Sequence, residues 1–280
     1  MVPGIIDLHV HVGDFARMRE DIRGLIQATS ETRDFDLPSL FSDPEQLVPY
    51  FKSAGAVRVV LIADEGPGVN FVPTTDFVCD FRDAAGESRD FFLVFGNINP
   101  NRASNILEKY ESDKRRGIRG YKLYPADHDF EPVTPELMAF YHRLEEDGLV
   151  LMFHTGTTGQ SDGVDAYGDP RLFKPILDEC PALPLIMAHA GKPTWCGEAA
   201  DFASEYENCY LDTAFIRPEK LLTYIPRLVE LQDKVLFGSD WPVGVASLSD
   251  HLSGIRALGL PGEVTDKMFY HNAARVLGIA

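Results

Sequence analysis

The sequence predicts a single α/β domain of the (β/α)8, or TIM-barrel, class spanning residues 1–280. Three observations predict it: eight short apolar runs of strand length, helical patterns between successive runs, and a length of 280 residues, close to the about 250 residues usual for one such barrel. No repeat, low-complexity tract or Pro/Ser linker interrupts the alternation, so nothing marks a second domain. With 45% hydrophobic residues the chain has ample material for one large core.

In chain order the predicted strands are GIIDLHV (4–10), VRVVLIA (57–63), DFFLVFG (90–96), IRGYKLY (118–124), LVLMFH (149–154), PLIMAH (184–189), CYLDTA (209–214) and KVLFGS (234–239). Most are continuously apolar, as strands of a parallel sheet covered by helices on its outer face must be. Helix starts are marked by a polar residue followed by Pro or Glu in the first turn: DPEQLVPYF after Ser42, TPELMAFYHRLEED after Val133 and RPEKLLTYI after Ile216. The stretch from Gly13 to Ser42 is too long for an ordinary βα connection, so it is expected to form a lid or a small insertion over one mouth of the barrel.

A formal charge of −17 argues against nucleic-acid or anionic-membrane partners, because the field of the whole chain repels phosphate. No apolar run approaches a membrane span and the first residues lack the pattern of a signal peptide, so the chain is expected to be soluble and cytoplasmic. Cys79, Cys180, Cys196 and Cys209 lack CxxC spacing and the density of a disulfide framework, and read as ordinary reduced thiols. The expected partner is a small-molecule substrate; assembly into a homo-oligomer is compatible with the sequence.

The first strand carries the chemistry. Side chains alternate across a strand, so Ile5, Asp7, His9 and His11 are expected on one face and Ile6, Leu8 and Val10 on the other. His9 and His11 would stand about 7 Å apart at the backbone, with both rings free to converge on one ion. Other strands deliver Lys122, His154, His189 and Asp240 at their C-terminal ends, where apolar runs meet Gly, Pro or Thr and where barrels of this class build their sites. Asp7, one layer below, could accept a histidine ring N–H. Lys122 could pair with Asp7 or with a substrate carboxylate. His128, His142, His251 and His271 fall in loops or helix patterns and are expected at the surface or in subunit contacts. Trp195, Asp212, Arg217 and Trp241 are candidate pocket walls. Arg17, Arg19 and Arg23 could bind a carboxylate or pair with Asp14, Glu20 and Asp21.

The motifs DLHVH (7–11), YKLYP (121–125), FHTG (153–156), AHAG (188–191), FGSDWP (237–242) and HNAARVLGI (271–279), in this order over the whole chain, resemble the amidohydrolase superfamily, in particular its amidohydrolase-related branch of metal-dependent TIM-barrel hydrolases. The resemblance implies that His9, His11, His154 and Asp240 hold a divalent ion, most simply Zn2+. It implies that His189 binds a second ion or orients substrate and water. KLYPA (122–126) looks like the strand-four sequence of dihydroorotases, where the lysine is carboxylated and bridges two metals, so Lys122 is either a metal bridge or a free amine; one ion is the preferred expectation, two the alternative. The catalytic set implied is Asp240, His189 and Lys122. The expected reaction is hydrolysis of a C–N or C–O bond (amide, lactone or ester) in a small carboxylated substrate, by water that a bound ion acidifies. The rival is non-oxidative decarboxylation of an aromatic or unsaturated acid on the same frame.

Overall fold

The computed structural model describes residues 4–18, 20–28, 36–66, 72–160, 162–245 and 247–279, apart from the side chains at 22, 25 and 28. Eight strands follow one another in a single parallel sheet: β1 (Ile5–His11), β2 (Ala56–Ile62), β3 (Phe92–Gly96), β4 (Gly120–Leu123), β5 (Val150–His154), β6 (Leu185–Ala188), β7 (Cys209–Asp212) and β8 (Val235–Leu236). Each pairs with its sequence neighbour. The ends are joined by Leu8 N donating to Phe237 O (3.1 Å), Asp240 N to His9 O (2.9 Å) and His11 N to Trp241 O (2.8 Å). The architecture is the single (β/α)8 barrel that the alternation predicts.

Regular pairing in β8 stops at Leu236, short of the expected Ser239, because Phe237 N turns away from the sheet and donates to Met268 O (3.0 Å). The next residue must be glycine: a Cβ at Gly238 would lie 2.7 Å from the Cβ of His9. This close approach lets the chain bring Asp240 against β1.

The expected alternation of β1 fails in its middle. Pairing with β2 shifts register between Asp7 and Val10, and this irregularity reverses the faces. Ile6 and Leu8 pack with Val60, Met152, Ile186 and Leu236, a cluster drawn from strands all round the sheet and therefore the barrel interior. Val10 instead joins the outer layer with Ile5, Leu47 and Phe51. Beyond the shift, His9 and His11 still converge on one another, with ring centroids 5.3 Å apart. The C-terminal helix, Asn272–Leu277, packs Ala273 and Leu277 against the interior cluster.

Two of the predicted helix starts carry the expected caps: Asp43 accepts from Glu45 N (2.9 Å) ahead of Pro44–Ser53, and Thr134 from Leu137 N (3.2 Å) ahead of Pro135–Glu146. RPEKLLTYI forms only a 3-10 turn, Pro218–Lys220, and one helical turn, Leu221–Tyr224. The long first connection holds short helices of its own, Glu20–Ala28 and Leu37–Ser42, which makes it an insertion. Arg19 lies outside the described residues. Among the described residues no helix is long and apolar enough to cross a membrane.

Candidate active site

The sequence-predicted residues meet at the C-terminal mouth of the barrel. His9 Nε2 lies 3.4 Å from Asp240 Oδ1, and His11 Nε2 lies 3.1 Å from the same oxygen. His189 Nδ1 is 3.8 Å from Asp240 Oδ2, and its ring lies 5.1 Å from that of His9. Four of the five described non-glycine residues with positive φ sit where β6, β7 and β8 open onto this mouth: His189 (62°), Ala190 (49°), Phe215 (56°) and Asp240 (64°). Each such backbone costs about 1–3 kcal/mol, and such strain tends to gather at sites that need a side chain aimed.

Hydrogen-bond partners fix which ring nitrogens carry protons. His9 Nδ1 donates to Asp212 Oδ2 (2.6 Å), leaving Nε2 as an acceptor. Burial, helped by the charge of Lys122, holds the pKa of His9 well below its ordinary value, so the ring is neutral. Burial opposes ionisation of Asp240 too, but a hydrogen bond from His11 and the charge of Lys122 hold its pKa below the ordinary carboxylate value. Two acceptors, His9 Nε2 and the Asp240 carboxylate, thus face one another without a proton between them. A cation suits that arrangement, and nitrogen and carboxylate donors are the ligand types that divalent zinc takes. His9, His11 and Asp240 offer one ligand atom each within 4.8 Å of one another, as do His9, His189 and Asp212.

His189 Nδ1 donates to the carbonyl of Ala214 (3.1 Å), so in the neutral ring enforced by burial its Nε2 accepts. His154 is turned elsewhere: Nε2 donates to Thr157 O (3.3 Å), Nδ1 faces Asp127 Oδ2 at 3.6 Å, and its ring stands 4.7 Å from that of His189. It lies at the same mouth without joining the His9, His11 and Asp240 cluster.

Lys122 is fully buried, and its amine lies 3.4 Å from His9 Nε2 and 5.1 Å from the centre of the Tyr124 ring. Burial lowers its pKa to about 8, against the carboxylates of Asp212 and Asp240. Lys122 does not pair with Asp7, one of the two partners that its sequence position left open. Asp7 Oδ1 accepts from Ser239 N (2.9 Å) and His9 N (3.2 Å), and Oδ2 has no partner among the described residues. The histidine N–H that Asp7 could have received goes to Asp212, whose pKa burial raises to about 6. Asp212 is therefore a support for His9 rather than a pocket wall.

The mouth encloses a cavity of about 420 Å3, lined by the histidines, Lys122 and Asp240 together with Val12, Phe41, Tyr124, Lys192, Phe215 and Tyr224. Of the walls proposed from sequence, Trp241 is buried against Phe41, Tyr50 and Phe51, Arg217 is exposed beside Glu219 (3.2 Å), and Trp195 does not line the cavity. His128 and His251 are buried rather than superficial. His128 Nε2 donates to Asp64 Oδ1 (2.9 Å), which places an oriented carboxylate on the cavity wall. No sequence signal marked that pair, because its members stand 64 positions apart.

A parallel barrel whose C-terminal mouth gathers histidines and carboxylates around a cavity defines a TIM-barrel enzyme. The sequence profile of the amidohydrolase family matches residues 6–279, and the chain belongs to that family. Many solved structures share its fold, and three illustrate the range. They are an uncharacterized TIM-barrel protein from Bordetella bronchiseptica (21% identity, 98% of each chain, TM-score 0.77); a probable 2-pyrone-4,6-dicarboxylic acid hydrolase from Acinetobacter baumannii with citric acid bound (15%, 99% of this chain and 100% of that one, 0.68); and 5-carboxyvanillate decarboxylase from Novosphingobium aromaticivorans with bound manganese and 3-methoxy-4-hydroxy-5-nitrobenzoic acid (15%, 98% and 97%, 0.66). No curated protein matches the chain in sequence.

Proposed function

We propose that the protein is a metal-dependent hydrolase that uses water to cleave a C–N or C–O bond (amide, lactone or ester) of a small carboxylated substrate. The observation that carries this reading is the convergence of His9 Nε2 and His11 Nε2 on Asp240 Oδ1, at 3.4 and 3.1 Å. His9, His11 and Asp240 would hold one divalent ion, with His154 and His189 as further donors at the same mouth and zinc the ion that best matches these ligand types. When bound, such an ion supplies a Lewis acid that polarises a substrate oxygen and acidifies water.

The chain's own residues do the rest. Asp240, ionised and buried, accepts the proton of the attacking water and returns it to the leaving group. His189, neutral and with Nε2 as an acceptor, orients that water. Asp212 holds His9 in one tautomer and one orientation. Lys122 lies against His9 as a free amine in the single-ion arrangement; a carboxylated Lys122 bridging two ions is the alternative, distinguished by metal count.

A second reading, non-oxidative decarboxylation of an aromatic or unsaturated acid, is favoured by one observation: Val12, Phe41, Tyr124 and Phe215 make much of the cavity wall apolar, which disfavours a carboxylate relative to neutral carbon dioxide. The structural relative described as a decarboxylase agrees with it. Incubation with a panel of carboxylated lactones, amides and aryl acids in 18O-labelled water separates the two. Hydrolysis places 18O in the organic product and releases no carbon dioxide. Release of carbon dioxide with an unlabelled organic product would sink the hydrolase reading.

A further inference from the structure

Lys192 follows β6 and lines the cavity. Its backbone is fixed on both sides, N donating to His189 O (3.0 Å) and O accepting from Thr157 N (3.2 Å). Its ammonium stands 4.1 Å over the centre of the Phe215 ring and makes no hydrogen bond or ion pair with any described residue. Lys109, Lys114, Lys174 and Lys267, by contrast, each pair with a carboxylate.

The pairing with Phe215 is built. Phe215 adopts a left-handed backbone, φ 56°, and its ring fits only because position 244 is glycine, where a Cβ would come within 2.7 Å of it. An aromatic face attracts an ammonium without neutralising it and without consuming its N–H donors. The ring therefore holds the charge at the cavity wall and leaves it available to an anion. Lys122, the other lysine of the cavity, is fully buried against His9. Burial lowers the pKa of Lys192 to about 8, a value at which it is still mostly protonated at neutral pH.

We propose that Lys192 is the residue that binds the substrate's carboxylate, with the apolar walls Val12, Phe41, Tyr124 and Tyr224 receiving the body of the molecule. This rests on reading the cavity as the active site.

Calorimetric titration with benzoate and with its neutral counterpart benzamide tests it, on the wild type and on Lys192→Met, Lys192→Gln and Lys192→Arg, with metal content measured on the same preparations. Benzoate should bind the wild type and the Arg variant, and bind the Met and Gln variants at least about tenfold more weakly, the scale of a lost charge-assisted hydrogen bond. Benzamide should not distinguish the four. The two uncharged variants are redundant, so poor folding of one leaves the comparison intact. Benzoate binding that is equal in wild type and uncharged variants, or absent from the wild type, overturns the proposal. If benzoate binding depends on Lys192 in a protein that takes up no metal, the anchor stands and the metal-dependent reading falls.

Discussion

Asp212 Oδ2 accepts the Nδ1 proton of His9 across 2.6 Å, joining the end of β7 to β1 over 203 positions of sequence. Both side chains are buried, at 0% and 1% exposure, so no water competes for the bond. It decides which nitrogen of His9 faces Asp240, and with it whether that nitrogen can offer a lone pair to a cation.

Asp212→Asn is therefore expected to keep the fold and lower metal affinity by about tenfold to hundredfold, the usual cost of losing a carboxylate behind a ligating histidine. Competition with a chromogenic chelator measures it. Unchanged affinity would show that His9 is oriented without Asp212.

His9→Ala and His11→Ala should lose bound metal and turnover together. His142→Ala and His271→Ala should keep both, since His271 is exposed and His142 contacts Cys180 (3.4 Å) outside the cavity. Elemental analysis of the four variants checks this; a full metal complement in both strand-one variants would remove them from the site.

Asp240→Asn retains the shape of the side chain while removing its basicity. Turnover should fall by at least about a hundredfold, the lower range for a proton-transferring group, while most of the metal remains on the histidines. Substantial residual turnover would exclude Asp240 as the proton carrier.

Much of the fold and of the site is legible in the sequence. The eight strands are readable because β-branched runs ending in Gly, Pro or Thr mark both the strand and the point where it meets its loop, and that same junction locates His9, His11, Lys122, His154, His189 and Asp240. What the sequence does not carry is pairing geometry. Ile6, Leu8 and Val10 are all apolar, so nothing in them reveals the register shift that sends Val10 to the outer layer. Asp7 is two residues from His9 and Asp212 far away, yet only closure of the barrel decides which of them receives the imidazole proton. The buried roles of His128 and His251 are hidden for the same reason: each is set by contacts remote in sequence.

His251 gives a pH signature of folding that is independent of the active site. It is 8% exposed, its Nε2 has no partner among the described residues, and burial pushes its pKa down to about 4, against the charge of Glu219. An unfolded histidine titrates near 6.5. Between pH 6.5 and 4 the unfolded chain thus binds the extra proton, and stability is lost as pH falls through that window, by about 2 kcal/mol at pH 5. His251→Leu lacks this liability. In urea unfolding its stability relative to wild type should improve by about 2 kcal/mol from pH 7 to pH 5, and parallel pH profiles would contradict the buried neutral state.

In the proposed mechanism His9, His11 and Asp240 hold the catalytic ion. Anomalous diffraction at the zinc edge, from crystals of protein loaded with excess zinc and bicarbonate, tests it most directly. One peak is expected, about 2.0–2.2 Å from His9 Nε2, His11 Nε2 and an Asp240 oxygen, with the Lys122 side chain ending at its amine. Absence of a peak at these three residues would contradict it, and two peaks bridged by density extending beyond the Lys122 amine would replace the single-ion site with a binuclear one.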